Sequence, residues 1–369
     1  MVSKRFIAKR ILLLIPVLFG VATVVFAILR LAPGDPARVI LGQRAPTQQV
    51  VQLRHELGLN DPIWVQYGRF LANTAQFDFG QSYQIAQGTP VWEVLADRLP
   101  VTIELALYGQ ALAIVFGLPL GVIAAVKQDS LTDHITRVGA LSGISIPIFW
   151  SGPLVILLFA TYLGWLPTSG RIGSTFFLPN HWVLFGTQLP LTGMVTVDTF
   201  ILDTGAFVQS LLYGEGIGAF ASIFTYYESF ISAVQHLFLP ALTLGIYSMA
   251  LISRMMRSSM LEVIRQDYIR TARAKGQGEK ITLLKHGLRN ALIPVITVIG
   301  IQFGTLLGGA VLTETVFGIG GIGQLLVAAI GATDYPLVQG TVLVFALLFT
   351  LVNLGVDITY SYLDPRIQQ

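Results

Sequence analysis

Six stretches of this chain are long and apolar enough to cross a lipid bilayer, and that requirement constrains everything else it can become. A spanning helix needs about 20 mainly apolar residues, since each adds about 1.5 Å across a hydrocarbon core of about 30 Å. Residues 11–31, 101–126, 138–163, 237–256, 290–312 and 337–359 qualify. Lipid offers no water to backbone amides, so these segments must close their hydrogen bonds internally as helix. The composition agrees. Hydrophobic residues make up 53% of the 369 and charged residues 12%, with a mean hydropathy of +0.69. A soluble domain carries about twice that charged fraction. The reading is one all-α polytopic membrane protein, not the two or three soluble domains that length alone suggests.

Charge sets the orientation. Of the 23 Lys and Arg, sixteen lie in the N-terminal tail, the 127–137 loop, the 253–289 loop and the C-terminal tail. The three loops on the other side hold six. Cationic loops stay cytoplasmic, so both termini are expected there. The net charge of +3 and pI near 9.1 then express topology, and no nucleic-acid partner is expected. Lys4, Arg5, Lys9 and Arg10 precede the first apolar run as in a signal peptide. That run is too long for a typical h-region and no small-x-small site precedes Ala32, so an uncleaved first helix is expected. The chain has no cysteine, which excludes disulfides and thiolate metal sites.

The loop between the fourth and fifth spans holds nine Lys/Arg against three Asp/Glu over 253–289. Leu261, Ile264, Tyr268 and Ala272 follow helical spacing and predict a contact stripe on one helix over 258–276. Arg265, Asp267, Arg270 and Arg273 fall mostly off that stripe. Gly276 and Gly278 are expected to end the helix, and Glu279 to His286 to start a second one.

Two inserts are expected outside. Residues 32–100 hold turn signals (Pro33-Gly34-Asp35-Pro36, Asn60-Asp61-Pro62) and an amphipathic stretch from Gln48 to Leu57. Trp64, Tyr67, Phe70, Phe77 and Phe79 are sufficient for a small packed cap. Within residues 164–236, Val195 to Tyr213 is apolar, but Asp198, Asp203 and Gly205 argue against a seventh span. An interfacial or packed amphipathic segment is expected instead. Asp198, Asp203, Glu215 and Glu228 make this insert acidic, readable as a solvated face or as a contact surface for a binding protein. Glu104, near the outer end of the second span, has two readings: structural pairing with helix N-terminal stabilisation, or a place on the substrate path. With Ser145 and Pro147 it makes the candidate translocation path. Gly109, Gly117 and Gly121 allow close helix approach, and Pro119 and Pro147 allow kinks.

Thr271-Ala-Arg-Ala-Lys-Gly276, followed by His286-Gly-Leu-Arg-Asn-Ala-Leu-Ile-Pro294, closely resembles the cytoplasmic "EAA" loop of ABC-importer permeases. The variant is that of the peptide/nickel (dipeptide and oligopeptide) permease family. The general pattern opens with Glu where this chain has Arg270, and ends in Leu-Pro where it has Leu288-Arg289; the peptide subfamily shares both departures. Gly34-Asp35-Pro36, Leu57-Gly-Leu-Asn-Asp-Pro62, Phe79-Gly-Gln-Ser82, Leu166-Pro-Thr-Ser-Gly-Arg171, Glu314 to Gly323 and the tail Asp364-Pro-Arg366 extend the resemblance over nearly the whole chain.

The resemblance implies six transmembrane helices of the type I (MetI-like) importer kind with two external inserts. Residues 1–31 form the tail and first helix, 32–100 an external region, and 101–363 the permease core, with its insert at 164–236 and its coupling loop at 253–289. It implies two ABC ATPase subunits, a homologous second permease, an external substrate-binding protein and a place in the cytoplasmic (inner) membrane, in contact with lipid. Tyr268, Thr271, Ala272, Arg273, Ala274, Lys275 and Gly276 would dock in a groove of the ATPase. Tyr268 would be the anchor, the alanines would allow close approach, and the basic side chains would meet acids on the partner. No Walker lysine loop, HExxH or GxSxG is present, so the chain itself is expected not to be an enzyme and to need no cofactor or metal. The rival reading is a self-sufficient secondary transporter or channel. It requires ionisable residues inside the spans, in which this chain is poor, and transport by the chain alone in liposomes.

Overall fold

A computed structural model describes residues 4–31, 35–42, 44–179, 181–184, 187–213 and 223–363. The Pro33-Gly34 turn, Glu215 and the tail residues Asp364 to Arg366 lie outside them. Helix α1 (Lys4–Leu31) is followed by three short helices, α2 (Pro36–Leu41), α3 (Thr47–Glu56) and α4 (Ile63–Ala75). Then come α5 (Val91–Val126), α6 (Leu131–Ser145), and α7 (Ile148–Val155) with a π-helical continuation at Ile156–Tyr162. The second insert carries an antiparallel hairpin, β1 (His181–Leu184) with β2 (Thr187–Pro190), then α8 (Val195–Tyr213) and α9 (Ile223–Tyr226). The long α10 (Glu228–Ile264) leads to α11 (Asp267–Ala274). A short α12 (Glu279–Ile281) runs through a π-helical stretch into α13 (Arg289–Phe317), followed by α14 (Ile322–Gly331) and α15 (Tyr335–Leu363).

Five of the expected spans are single helices long and apolar enough to cross a membrane: Ala8–Arg30, Val91–Val126, Glu228–Ile264, Glu279–Phe317 and Tyr335–Thr359. The expected third, 138–163, is broken. Ile146 is extended (ψ 122°) and Pro147 follows, so α6 stops at Ser145 and α7 starts at Ile148. A proline's ring disfavours the α conformation for the residue before it, and an apolar window average does not register that.

The bundle is built on α5 and α10, which meet backbone to backbone. A Cβ on Gly245 would lie 2.5 Å from the Gly109 carbonyl, one on Gly117 2.9 Å from the Met249 carbonyl, and one on Gly121 2.5 Å from the Ser253 carbonyl. Gly109, Gly117 and Gly121 share one face of α5, Gly245 faces them from α10, and together they let the two helices approach as no larger residue would. Around the seam pack Leu105, Ala106, Ala241, Leu244, Leu306 and Leu307 in the middle, and Ala113, Ile252, Met256, Met260, Ala291 and Val295 towards one end. α13 closes this core, α15 covers α13, and α1 lies against α15. An Arg10–Asp357 ion pair at 2.7 Å ties α1 to α15 near one membrane surface.

At the same end, Asp133 clamps α6 to α10. Its carboxylate is covered by Arg257, with Nε and Nη2 donating at 2.7 and 2.8 Å, and by Arg137 at 3.2 Å. The Arg257 hydrogen bonds hold the Asp133 carboxyl well below the usual carboxylate range; the Asp129 amide and Arg137 add to this, and burial opposes it.

The first external region is not a self-contained cap. Tyr67 and Phe70 of α4 pack on Phe19 and Phe26 of α1, and Tyr67 Oη shares a 2.6 Å hydrogen bond with Thr23. Trp64 remains 71% exposed. In the second insert α8 is a packed helix outside the set of spans, lying against α10. Of the acids expected to form a solvated or contact face, Glu228 is exposed, whereas Asp198 and Asp203 are engaged within the chain. Asp198 is buried and accepts from the Thr192 and Gly193 amides, and Asp203 caps α10 through Ser229 and the Phe230 amide. Asp198 thus folds the loop before α8 back onto the helix, and Asp203 sits where the start of α10 exposes its amides.

Three substitutions test this packing through stability. Gly121→Leu forces a side chain into the Ser253 carbonyl and should cost about 1–3 kcal/mol, seen as a lower midpoint in detergent unfolding. Gly139→Ala, with nothing within 4 Å of its Cβ, should be neutral or slightly stabilising. Asp133→Asn should destabilise by less than the ~3–5 kcal/mol of a fully buried broken pair, because 20% of the Arg257 side chain still meets solvent. Since the folded pKa is depressed, the wild-type advantage should be complete at pH 7. It should narrow as pH falls from about 5 through the ordinary aspartate range towards the folded value.

Candidate functional site

α10 carries the chain out of the bundle and ends at Ile264, with Leu261 and Ile264 packed on the core cluster of Met256, Met260 and Leu283. Gln266 is extended (φ −73°, ψ 148°), and α11 begins at Asp267, whose carboxylate suits a helix N-terminus. The expected 258–276 helix is therefore two helices joined by an elbow at 265–266. The expected stripe is split: Leu261 and Ile264 belong to α10, Tyr268 and Ala272 to α11. A single helical period cannot run through an extended residue.

α11 is held from below by Ile269, fully buried, while Tyr268 is 41% exposed. With Tyr268 partly exposed, the residue that seats α11 on this chain is Ile269. It was legible as the one large aliphatic side chain between Ile264 and Ile281. Tyr268 instead accepts a 2.9 Å hydrogen bond from Asn290 Nδ2, which ties α11 to the start of α13. The helix ends at Gly276, whose φ of +77° is left-handed. Nothing lies within 4 Å of where its Cβ would be, so the backbone alone demands glycine there. Gly278 was expected to share that role, but it has φ −59° and starts α12.

Across the Gly276 turn, Arg273 donates to Glu279 through Nε and Nη2 at 3.0 and 2.6 Å. The pair closes the turn, and both side chains remain exposed at the surface. Arg265, Arg270, Lys275 and Lys280 remain exposed. Tyr268, Thr271, Ala272 and Lys275 come together with Gln277 and His286 around a concavity of about 530 Å³. Ala274 is exposed beside it, and Arg273 and Gly276 brace its edge. Gln277 gave no sequence signal, and the contacts of Glu279, His286 and Asn290 with α11 run across a turn that the helical period does not describe.

The candidate path residues are not assembled. Glu104 is 2% exposed and fully engaged. It accepts from the Val195 and Thr196 amides at 3.0 and 2.7 Å, the Thr196 hydroxyl at 2.5 Å and Arg171 at 3.1 Å. It thus caps α8 and pairs with the second insert. Ser145 and Pro147 are exposed at the break between α6 and α7, and among the described residues no hydrogen bond joins them to Glu104.

Two more buried carboxylates brace the end of the bundle opposite the elbow. Glu314 accepts from the Thr102 hydroxyl at 2.5 Å and the Gln324 amide at 2.9 Å. A Cβ on Gly321 would lie 2.5 Å from both Glu314 and Thr102. The glycine run at 318–323 therefore wraps a carboxylate. Asp334 accepts from Ser82 at 2.5 Å and from the Tyr83, Gln84 and Ile85 amides. Burial raises its pKa, but these bonds outweigh burial and hold it below the usual range.

Set beside known proteins, residues 117–369 match the family model described as the inner membrane component of binding-protein-dependent transport systems. Residues 3–106 match the N-terminal model of the same membrane components. The chain is 44% identical over 360 residues to a dipeptide transport system permease protein of Alkalihalophilus pseudofirmus, covering 98% of each. It is 44% identical over 364 residues to a di/tripeptide transport system permease protein of Pseudomonas aeruginosa, again covering 98% of each. Identity to a glutathione transport system permease protein of Escherichia coli is 37% over 364 residues, 99% of each. The chain therefore belongs to the inner-membrane components of binding-protein-dependent transport systems, and is a multi-pass permease subunit of an ABC importer.

Proposed function

We propose that this permease imports di- or oligopeptides as one half of a translocation path completed by a homologous second permease. Two ATPase subunits drive it through α11, and an external binding protein delivers the cargo. Both termini and the elbow face the cytoplasm. The chain itself hydrolyses no ATP. The similarity to dipeptide, di/tripeptide and glutathione permeases supports a short-peptide cargo. The observation that carries the coupling role is the isolation of α11: eight residues turned off the end of α10, with Ile269 alone buried. A force applied there is passed in two directions, through the elbow to α10 and through Asn290 to α13. Closure of an ATPase dimer would pull both helices and rock the bundle to an outward-open state.

Affinity purification through a C-terminal tag in mild detergent should recover ATPase subunits and a second permease. Recovery of the chain alone, stable and able to transport in liposomes, would replace this reading with a self-sufficient carrier. With no native cysteine, single cysteines at Lys275 and Trp64 should label from opposite sides of sealed vesicles. Gly276→Pro fixes φ near −65° where +77° is needed. The variant should insert normally and lose most of the substrate-stimulated ATPase activity. Wild-type stimulation would remove the turn from the coupling path.

A further inference from the structure

At the end of the bundle opposite the elbow, α1, the first external region and the start of α15 enclose a cavity of about 260 Å³. Phe26, Leu29, Phe70 and Pro336 give it apolar walls. Two polar groups in it are uncommitted. Arg30, in the last turn of α1, lies 5.7 Å from the Phe26 ring centroid and pairs with no carboxylate among the described residues. Its neighbour Arg69, by contrast, is held by Asp61 at 2.6 Å. The second group is Gln66. Its Nε2 donates to the Asp61 and Leu59 carbonyls at 2.7 and 3.2 Å, which fixes the orientation of the amide. Among the described residues no donor reaches its buried Oε1, an arrangement that is unfavourable unless something else supplies one.

A cation and an orphaned acceptor over apolar walls fit an anion linked to an N–H donor. We propose that this cavity binds the phosphoethanolamine group of a membrane phospholipid, with the phosphate on Arg30 and the ammonium on Gln66 Oε1. Free phosphoethanolamine has the same polar chemistry, but the position favours the lipid. Twenty residues separate Arg30 from Arg10, whose ion pair with Asp357 marks the other surface. At about 1.5 Å per residue that is about 30 Å, the hydrocarbon thickness, so the cavity opens at headgroup depth. Val24 and Ile28 of α1, 56% and 60% exposed, offer an apolar track for acyl chains. The site is also peripheral, since α1 packs chiefly on α15, away from the α5–α10 seam. Only the choice of leaflet, the outer one, rests on the topology proposed above.

The test is native mass spectrometry of the assembled importer after detergent washing, with phosphatidylethanolamine, phosphatidylglycerol or soluble phosphoethanolamine added back. The wild-type complex should retain phosphatidylethanolamine in preference to phosphatidylglycerol, which lacks the ammonium. Arg30→Gln should weaken that retention on the order of tenfold, as expected for loss of a charged hydrogen bond, and Arg30→Lys should keep most of it. Equal retention by wild type and Arg30→Gln, or no preference between the two lipids, would overturn the site. Displacement by millimolar phosphoethanolamine would overturn the lipid assignment. If Arg30→Gln does not assemble, the lipid preference of the wild-type complex decides alone.

Discussion

The close contact of α5 with α10 is the constraint on which the rest of the molecule depends. In lipid the hydrophobic effect no longer drives helices together, so association needs close packing. Gly109 and Gly245 provide it in the middle, and Gly117 and Gly121 extend it towards the elbow. The same helix α10 emerges at one end to bear α11 and begins at the other end under the second insert. A 37-residue rod is about 55 Å long, so one element links both surfaces of the membrane. The other long helices are placed by that pair: α13 packs on α10 and α5, α15 on α13 and α5, and α1 on α15.

Charge inside the bundle is used to fasten segments, and four buried carboxylates join elements far apart in sequence. Glu104 holds the second insert, Glu314 the glycine loop before α14, Asp334 the first external region to α15, and Asp133 the start of α6 to α10. Each is satisfied by backbone amides, hydroxyls or a guanidinium, the condition under which a carboxylate tolerates removal from water.

Much of this was legible in the sequence where one physical rule acts alone. Five spans followed from apolar length, and the small-residue seam from glycine spacing in a lipid setting. The sequence reading missed where a local backbone term overrode a periodic one. Ile146 ahead of Pro147 broke the third span, and extended Gln266 split the expected coupling helix. It also missed where partners lie far along the chain. Nothing near Glu104 announces Val195, Thr196 and Arg171, and nothing near Arg273 required that Glu279 neutralise it. The α4 helix, an amphipathic stretch of Trp, Tyr and Phe, read as cap material because its partner face, Phe19 and Phe26, lies inside a spanning helix.

The central claim is that α11, seated on Ile269 and braced by the Arg273–Glu279 pair, is where force enters the bundle. The most direct measurement is site-specific photo-crosslinking from Ala272, beside the concavity, in the importer assembled in membranes. The account predicts a covalent adduct with an ATPase subunit, lost when the ATPase is omitted. Adducts with lipid alone, or none while transport proceeds, would contradict it.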